Sequence, residues 1–261
     1  MKPAGDPDRQ KESARLTEMD IYFIRHGDPN YKDNCLTPLG HIQAEACAER
    51  FKACADRFPE LALTSIFTSK YGRARETAEH TAAKLGLPVT ELDFIHEISS
   101  GRPEITDREE NLKYTAWLGA DLMVYNEGAD LLKVDWDNNP VWGGNRFKHS
   151  YERVVAGLDP WLETFGFKRE GACYRCLRSP SAPPERPAVF AHAGSISCVI
   201  AHLLNLPAPF VTGHFHLQCT GITVFDFEER EGSLITPRIR KLNDADHIRG
   251  LKVTDADTNP Q

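Results

Sequence analysis

Along the chain, short apolar runs alternate with longer stretches in which apolar residues recur every three or four positions. The runs are "IYFI" at 21–24, "SIFTS" at 65–69, "AVFAHAG" at 188–194 and "GITVFDF" at 221–227, rich in β-branched and aromatic residues. Runs of this length read as strands buried in a sheet. Between them, Ile196, Val199, Ile200, Leu203 and Leu204 fall at i, i+3, i+4, i+7 and i+8 ahead of Pro207. That spacing predicts a helix over 195–205. Leu39, Ile42, Ala46 and Phe51 stripe a second predicted helix, and Ala74, Ala78, Ala82 and Leu85 a third. A fourth is expected from about Phe147 to Phe165, kinked or restarted at Pro160, because proline lacks the N–H an interior turn requires. "ACYRCLR" alternates and reads as a hairpin strand.

Strand followed by helix, repeated, predicts an α/β fold: a three-layer α/β/α sandwich on a mainly parallel central sheet. In such sheets ligands sit beyond the carboxyl ends of the strands. Here those ends carry unusual residues. The first strand stops at Arg25 and His26, the second leads through "KYG" to Arg73, and "AVFA" stops at His192. Guanidinium groups suit bidentate recognition of phosphate oxygens. Imidazole offers a neutral nucleophile near pH 7, and backbone N–H groups at the helix start near Ser195 would extend an anion hole. The composite predicts a phosphate pocket with a histidine in attacking position.

Composition narrows the class of protein. With 261 residues, 41% apolar and 26% charged, the chain suits one sizeable core. Its formal net charge of -7 argues against a general nucleic-acid face. No apolar run approaches the roughly 20 residues that cross a membrane, and the first twenty residues lack the apolar core of a signal peptide. A cytoplasmic location is expected, with no membrane or nucleic-acid partner, and a homo-oligomer is compatible with the sequence. Seven cysteines without an export signal are expected to be free. Cys173 and Cys176 have the spacing of half a zinc site, but no second pair follows, so no metal is expected.

The segments "FIRHG", "LTPLGHIQA", "TSKYGRARETA", "HEISSG" and "FAHAGSI", in that order, together with a closing "KLNDADHI", resemble the histidine phosphatase superfamily, also called the phosphoglycerate mutase-like family. The resemblance covers roughly Met19 to His247. It implies that His26 is the nucleophile that becomes phosphorylated and Arg25 its phosphate-binding neighbour. Arg73 matches the second phosphate arginine, and His192 the second histidine on the transferring phosphoryl group. Glu97 falls at the general acid and base, with His96 beside it as a rival. Ala193 stands where the acid phosphatase branch carries an aspartate, which favours Glu97. Ala193 and Thr37 are expected among the substrate contacts. His214 and His216 are read as either structural or substrate-contacting. No cofactor or metal is implied.

Family mutases carry a longer stretch between Arg-His-Gly and the following helix, holding residues that grip a phosphorylated acid; here "DPNYKDNC" connects the two directly. Hydrolysis of a phosphate monoester, releasing inorganic phosphate, is therefore the expected reaction. A phosphomutase and a catalytically silent binding protein on this fold are the alternatives, and a small phosphorylated substrate is the expected partner. The expected organisation is a tail at 1–18, the catalytic domain at 19–247 with a lid insert at about 102–145, and a tail at 248–261. The insert holds Tyr114, Trp117, Tyr125, Trp136 and Trp142. They read either as packing for a helical cap, with Leu112, Thr115, Ala116, Gly119 and Leu122 at helical spacing, or as a lid over the non-phosphate part of the substrate.

Overall fold

The computed structural model describes residues 17–118, 135–142, 144–179 and 181–251. Its centre is a six-stranded sheet built from β1 (Thr17–Arg25), β4 (Ser65–Thr68), β5 (Val89–Glu91), β8 (Pro187–Ala191), β9 (Ile222–Glu229) and β11 (Arg238–Asp244). The strand order is β11-β9-β1-β8-β4-β5. β1, β8, β4 and β5 pair in parallel, whereas β9 runs antiparallel to both β1 and β11. The expected mainly parallel sheet is thus present, with one reversed strand.

β1 shows why a doubly covered strand reads as a continuous apolar run. Met19, Ile21 and Phe23 enter one buried cluster, while Ile24 and Tyr22 belong to the other. β8 divides the same way, with Val189 and Ala191 on the first side and Ala188 and Phe190 on the second. This is the period-two alternation of a strand with helices on both faces.

The second side is covered by α1 (Pro38–Arg57) and α2 (Gly72–Leu85). Thr37 caps α1, its Oγ1 accepting from the Gly40 amide at 3.0 Å ahead of Pro38 in the first turn, the arrangement favoured at helix starts. α2 ends on Gly86 in the left-handed conformation, φ 66°, where a Cβ would be strained. The stripe Ala74, Ala78 and Ala82 is buried as expected. The stripe assigned to α1 is corrected: Gly40, Gln43, Ala44, Cys47, Ala48 and Phe51 face inward, and Ile42 is 55% exposed. A Cβ on Gly40 would lie 2.2 Å from the Asp28 carbonyl oxygen, so close approach rather than bulk selects this face.

The first side carries α4 (Arg146–Thr164), α5 (Ala193–Leu204) and α6 (Ala208–His214), while α3 (Arg108–Leu112) lies within the insert. α4 runs through Pro160 as one helix and does not restart. α5 is buried nearly all round, so Ser195, Ser197 and Cys198 are as covered as Ile196, Val199 and Ile200. β6 (Phe167–Glu170), β7 (Cys173–Cys176) and β10 (Leu234–Ile235) form a small antiparallel sheet. The expected strand through Cys173 and Cys176 is therefore present. The two thiols lie three residues apart on a strand, and Cys176 is buried while Cys173 is not, so they face opposite sides and cannot share an ion.

Trp136 and Trp142 are buried at 6% and 1% exposure, with ring centroids 5.7 Å apart and Trp142 5.0 Å from Phe147 at the start of α4. They fall on the packing side of the two readings. Tyr125, Gly119 and Leu122 lie outside the described residues. Thr17 and Glu18, assigned to a tail, pair with Glu229 and Glu228 through their backbone. Ile248, at the start of the other expected tail, is buried.

Candidate active site

Three strand ends meet on one rim. Beyond β1, the His26 amide donates to the Ala191 carbonyl at 2.9 Å, and beyond β4 the Ser69 amide donates to the Phe190 carbonyl at 2.9 Å. The parallel ladder thus continues past the strands and sets His26, Ser69 and His192 at one level. Their ring and hydroxyl groups then converge. The imidazoles of His26 and His192 have centroids 5.1 Å apart, and His192 Nε2 lies 2.8 Å from Ser69 Oγ.

His26 is 1% exposed, and its Nδ1 sits 2.6 Å from the Gly27 carbonyl oxygen. A carbonyl only accepts, so Nδ1 carries the proton and Nε2 the lone pair. Arg73 Nε donates toward that lone pair at 3.3 Å. Burial and the charges of Arg25 and Arg73 hold the His26 pKa well below its usual value, against the Gly27 hydrogen bond. Burial and the neighbouring His26 do the same for His192. Both rings are neutral at neutral pH.

The cations are themselves anchored. Arg25, 7% exposed, donates from Nη1 to the Leu217 carbonyl at 2.6 Å. Arg73, 6% exposed, donates from Nη1 to Asn34 Oδ1 at 2.8 Å and lies over the Tyr71 ring at 5.0 Å. A Cβ on Gly72 would stand 2.2 Å from the Asn34 carbonyl oxygen; only glycine lets this loop reach Arg73. Arg75, two residues on, points outward to Glu79 and Glu91 at 3.7 Å each.

Glu97 enters from the loop after β5. Its Oε1 accepts from the Ile98 amide at 2.9 Å, and the Ser195 amide at the α5 N-terminus favours the charged carboxylate. Burial raises its pKa above the usual carboxylate value, outweighing those bonds and the two arginines. One donor atom from each of His26, Glu97 and His192 lies within 4.8 Å of the others. By number these could ligate a divalent ion. Burial is the main reason both histidines stay unprotonated, and the Arg25 and Arg73 charges that add to it also oppose a cation and favour an anion. His96 is not part of this group; its Nδ1 is bonded to the Asp93 carbonyl at 2.5 Å and its ring lies against Tyr71.

The Glu97 loop is held from α4. Arg153 donates to three carbonyls: Phe94 at 3.3 Å from Nε, and His96 at 2.7 Å and Glu97 at 3.3 Å from Nη2. Ser150 Oγ accepts from the Ser99 amide at 2.9 Å and donates to the Ser99 carbonyl at 3.0 Å. Gly194 closes the fit from the other side, since a Cβ there would stand 2.3 Å from Ile98 Cγ1.

The structure thus brings Arg25, His26, Arg73, Glu97 and His192 together, with Ala193 in the first turn of α5. Thr37 is drawn elsewhere: its hydroxyl is committed to Asp28 Oδ2 at 2.5 Å and to the Gly40 amide. His214, the last residue of α6, is exposed and stacked on Phe210 at 4.5 Å, and His216 is exposed two residues further on. Ser69, Asn34 and Arg153 were not anticipated. Ser69 follows a strand end, the signal that singled out its neighbours; Asn34 and Arg153 act from a loop and a distant helix and leave no local pattern.

The family model for the histidine phosphatase superfamily, branch 1, matches residues 21–240, and the chain belongs to that superfamily. Among curated relatives, probable phosphoglycerate mutase GpmB of Salmonella paratyphi A is 23% identical over 228 residues, spanning 82% of this chain and 87% of the relative. Solved structures of the same fold include a mycobacterial glucosyl-3-phosphoglycerate phosphatase, 19% identical with TM-score 0.57 over 87% of this chain and 99% of the other. Another is the phosphoserine phosphatase of Entamoeba histolytica in complex with 3-phosphoglyceric acid, 20% identical with TM-score 0.55 over 88% and 99%. Among the described residues, no helix is long and apolar enough to cross a membrane.

Proposed function

We propose that this protein is a phosphatase that hydrolyses a small phosphate monoester through a covalent phosphohistidine on His26, without a metal cofactor. The observation that carries the reading is the His26 hydrogen bond. With its Nδ1 proton on the Gly27 carbonyl at 2.6 Å, Nε2 presents a lone pair into a buried, doubly cationic pocket. Such a nitrogen attacks phosphorus in line while Arg25, Arg73 and His192 bear the equatorial oxygens' charge, joined by the backbone at Ala193. Glu97, whose protonated form burial favours, donates its proton to the leaving oxygen. It then takes a proton from the water that cleaves the N–P bond, releasing inorganic phosphate. Thr37 contributes indirectly, by capping α1 and holding Asp28 beside Gly27.

The mutase name of the curated relatives supports a second reading, in which a phosphorylated acceptor replaces water. The two part on products: inorganic phosphate for hydrolysis, a new ester for transfer. The test of the covalent step is rapid quenching with a phosphate-labelled ester. Wild type is expected to acquire acid-labile, base-stable label, and His26→Ala none. Near-normal turnover in His26→Ala would overturn the reading.

A further inference from the structure

On the outer surface, α1 and α2 each carry one histidine and one glutamate four residues apart: His41 and Glu45 on α1, Glu76 and His80 on α2. Residues four apart share a helix face, and the two faces meet crosswise. His41 Nδ1 and His80 Nε2 lie 3.1 Å apart. The outer nitrogen of each ring faces the carboxylate of the opposite helix: His80 Nδ1 to Glu45 Oε2 at 2.9 Å, and His41 Nε2 to Glu76 Oε2 at 3.9 Å. Glu76 is itself fixed by the Leu36 amide at 2.7 Å.

We propose that this pair is a binding site for a divalent d-block cation of the zinc or nickel class, bridging α1 and α2. Imidazole nitrogens bind such ions at about 2.0–2.1 Å; an ion at that distance from both nitrogens closes an angle of roughly 100°, within the range of tetrahedral and octahedral sites. A carboxylate on the outer nitrogen is the partner that orients a metal-bound histidine, and here both rings have one. A tautomer exchange and a tilt of the two rings toward the ion are needed. In the ion-free pair the Glu45 contact places the His80 proton on Nδ1, so His80 Nε2 accepts from His41 Nδ1. Moving the His41 proton from Nδ1 to Nε2, toward Glu76, frees two facing lone pairs without loss of charge. The surroundings allow a cation: Glu45, Glu49, Glu76 and Glu79 outnumber Lys84 and Arg75, and Lys84 is engaged by Glu45 and Glu49 at 2.7 and 2.5 Å. His41 and His80 side chains are 49% and 26% exposed, which leaves the remaining coordination positions to water.

The test is titration of the full chain with Ni²⁺ alone, an ion suited to imidazole rather than to the partly exposed thiols, followed by calorimetry and by thermal unfolding. Wild type is expected to bind one ion and to unfold at higher temperature with it. His41→Asn and His80→Asn should each weaken binding at least tenfold, and Glu45→Gln by about 10–100-fold. His26→Ala, which removes a donor from the catalytic group, should bind as wild type does. Unchanged affinity in both His41→Asn and His80→Asn, or loss confined to His26→Ala, overturns the site and leaves the phosphatase reading untouched.

Discussion

A methyl group on Gly194 would stand 2.7 Å from Oε1 of Glu97, so the second residue of α5 and the carboxylate it faces are fitted with no room between them. Glu97 is the proposed proton donor. In Gly194→Ala the carboxylate and Ile98 must move outward while the strands stay as they are. Hydrolysis of an alkyl phosphate is expected to fall at least tenfold. Hydrolysis of para-nitrophenyl phosphate, whose leaving group needs little protonation, should fall far less. Equal losses on both substrates would place the damage at His26 instead.

The pH profile follows from the two shifted groups. His26 must be neutral to attack, and its pKa is held well below 6.5, so the acid limb should lie well below that value. Glu97 must be protonated to donate, and its pKa is raised above 4.5, so activity should decline as pH rises through that raised value. Glu97→Ala assayed with para-nitrophenyl phosphate should lose the alkaline limb. Retention of the limb would assign it to another group.

Stability has its own sign. The unfolded chain protonates His26 and His192 near pH 6.5 while the folded chain does not. Folding stability should therefore be full above that pH. Below it, stability should fall by about 1.4 kcal/mol per pH unit for each histidine, until the lowered folded values are reached. Chemical denaturation of wild type and His192→Gln between pH 7 and 5 measures this; the variant's slope should be shallower by one group. Parallel slopes would show that His192 is not buried neutral.

Arg153 binds the carbonyls of Phe94, His96 and Glu97 and touches no reacting atom in the proposed mechanism. As a positioning residue it should act on kcat with little change in KM. Arg153→Met is expected to lower kcat for an alkyl ester at least tenfold and to spare para-nitrophenyl phosphate, with Arg153→Lys recovering part of the loss. A merely structural role would lower both substrates alike.

Trp142 is 1% exposed, between Trp136 and Phe147. Trp142→Ala should cost about 3–5 kcal/mol of stability, read as a lowered denaturation midpoint, while KM of the surviving folded enzyme stays near wild type. A selective rise in KM with unchanged stability would restore the view of this residue as a substrate contact.

The strand ends were legible because two of them carry arginine or imidazole side chains directly after apolar runs and a third leads through "KYG" to Arg73, a pattern that packing alone does not favour. The acid was legible only through its place among ordered motifs. α1 misled because periodicity measures bulk, whereas Gly40, Gln43 and Cys47 are buried by the closeness of Asp28 and α2. β5 and β11 lie at the sheet's edges, and their polar residues, as in Arg238–Asp244, gave no apolar run to read. Asn34 reaches Arg73 from a loop with φ of 53°, a contact made by backbone shape and invisible to spacing.

Arg25 closes the first strand of the fold, yet its guanidinium donates to the carbonyl of Leu217, 192 residues away. Its own carbonyl accepts from the Thr220 amide at 3.0 Å, and the Thr220 hydroxyl lies 3.0 Å from His247. During synthesis, then, β1 leaves the ribosome well before the Leu217 carbonyl that Arg25 donates to. Contacts of such long separation form late, after the loops between them have closed. A nascent chain halted short of Leu217 would hold the first motif without the carbonyl that its arginine donates to, so the pocket in its final form waits for the last third of the fold.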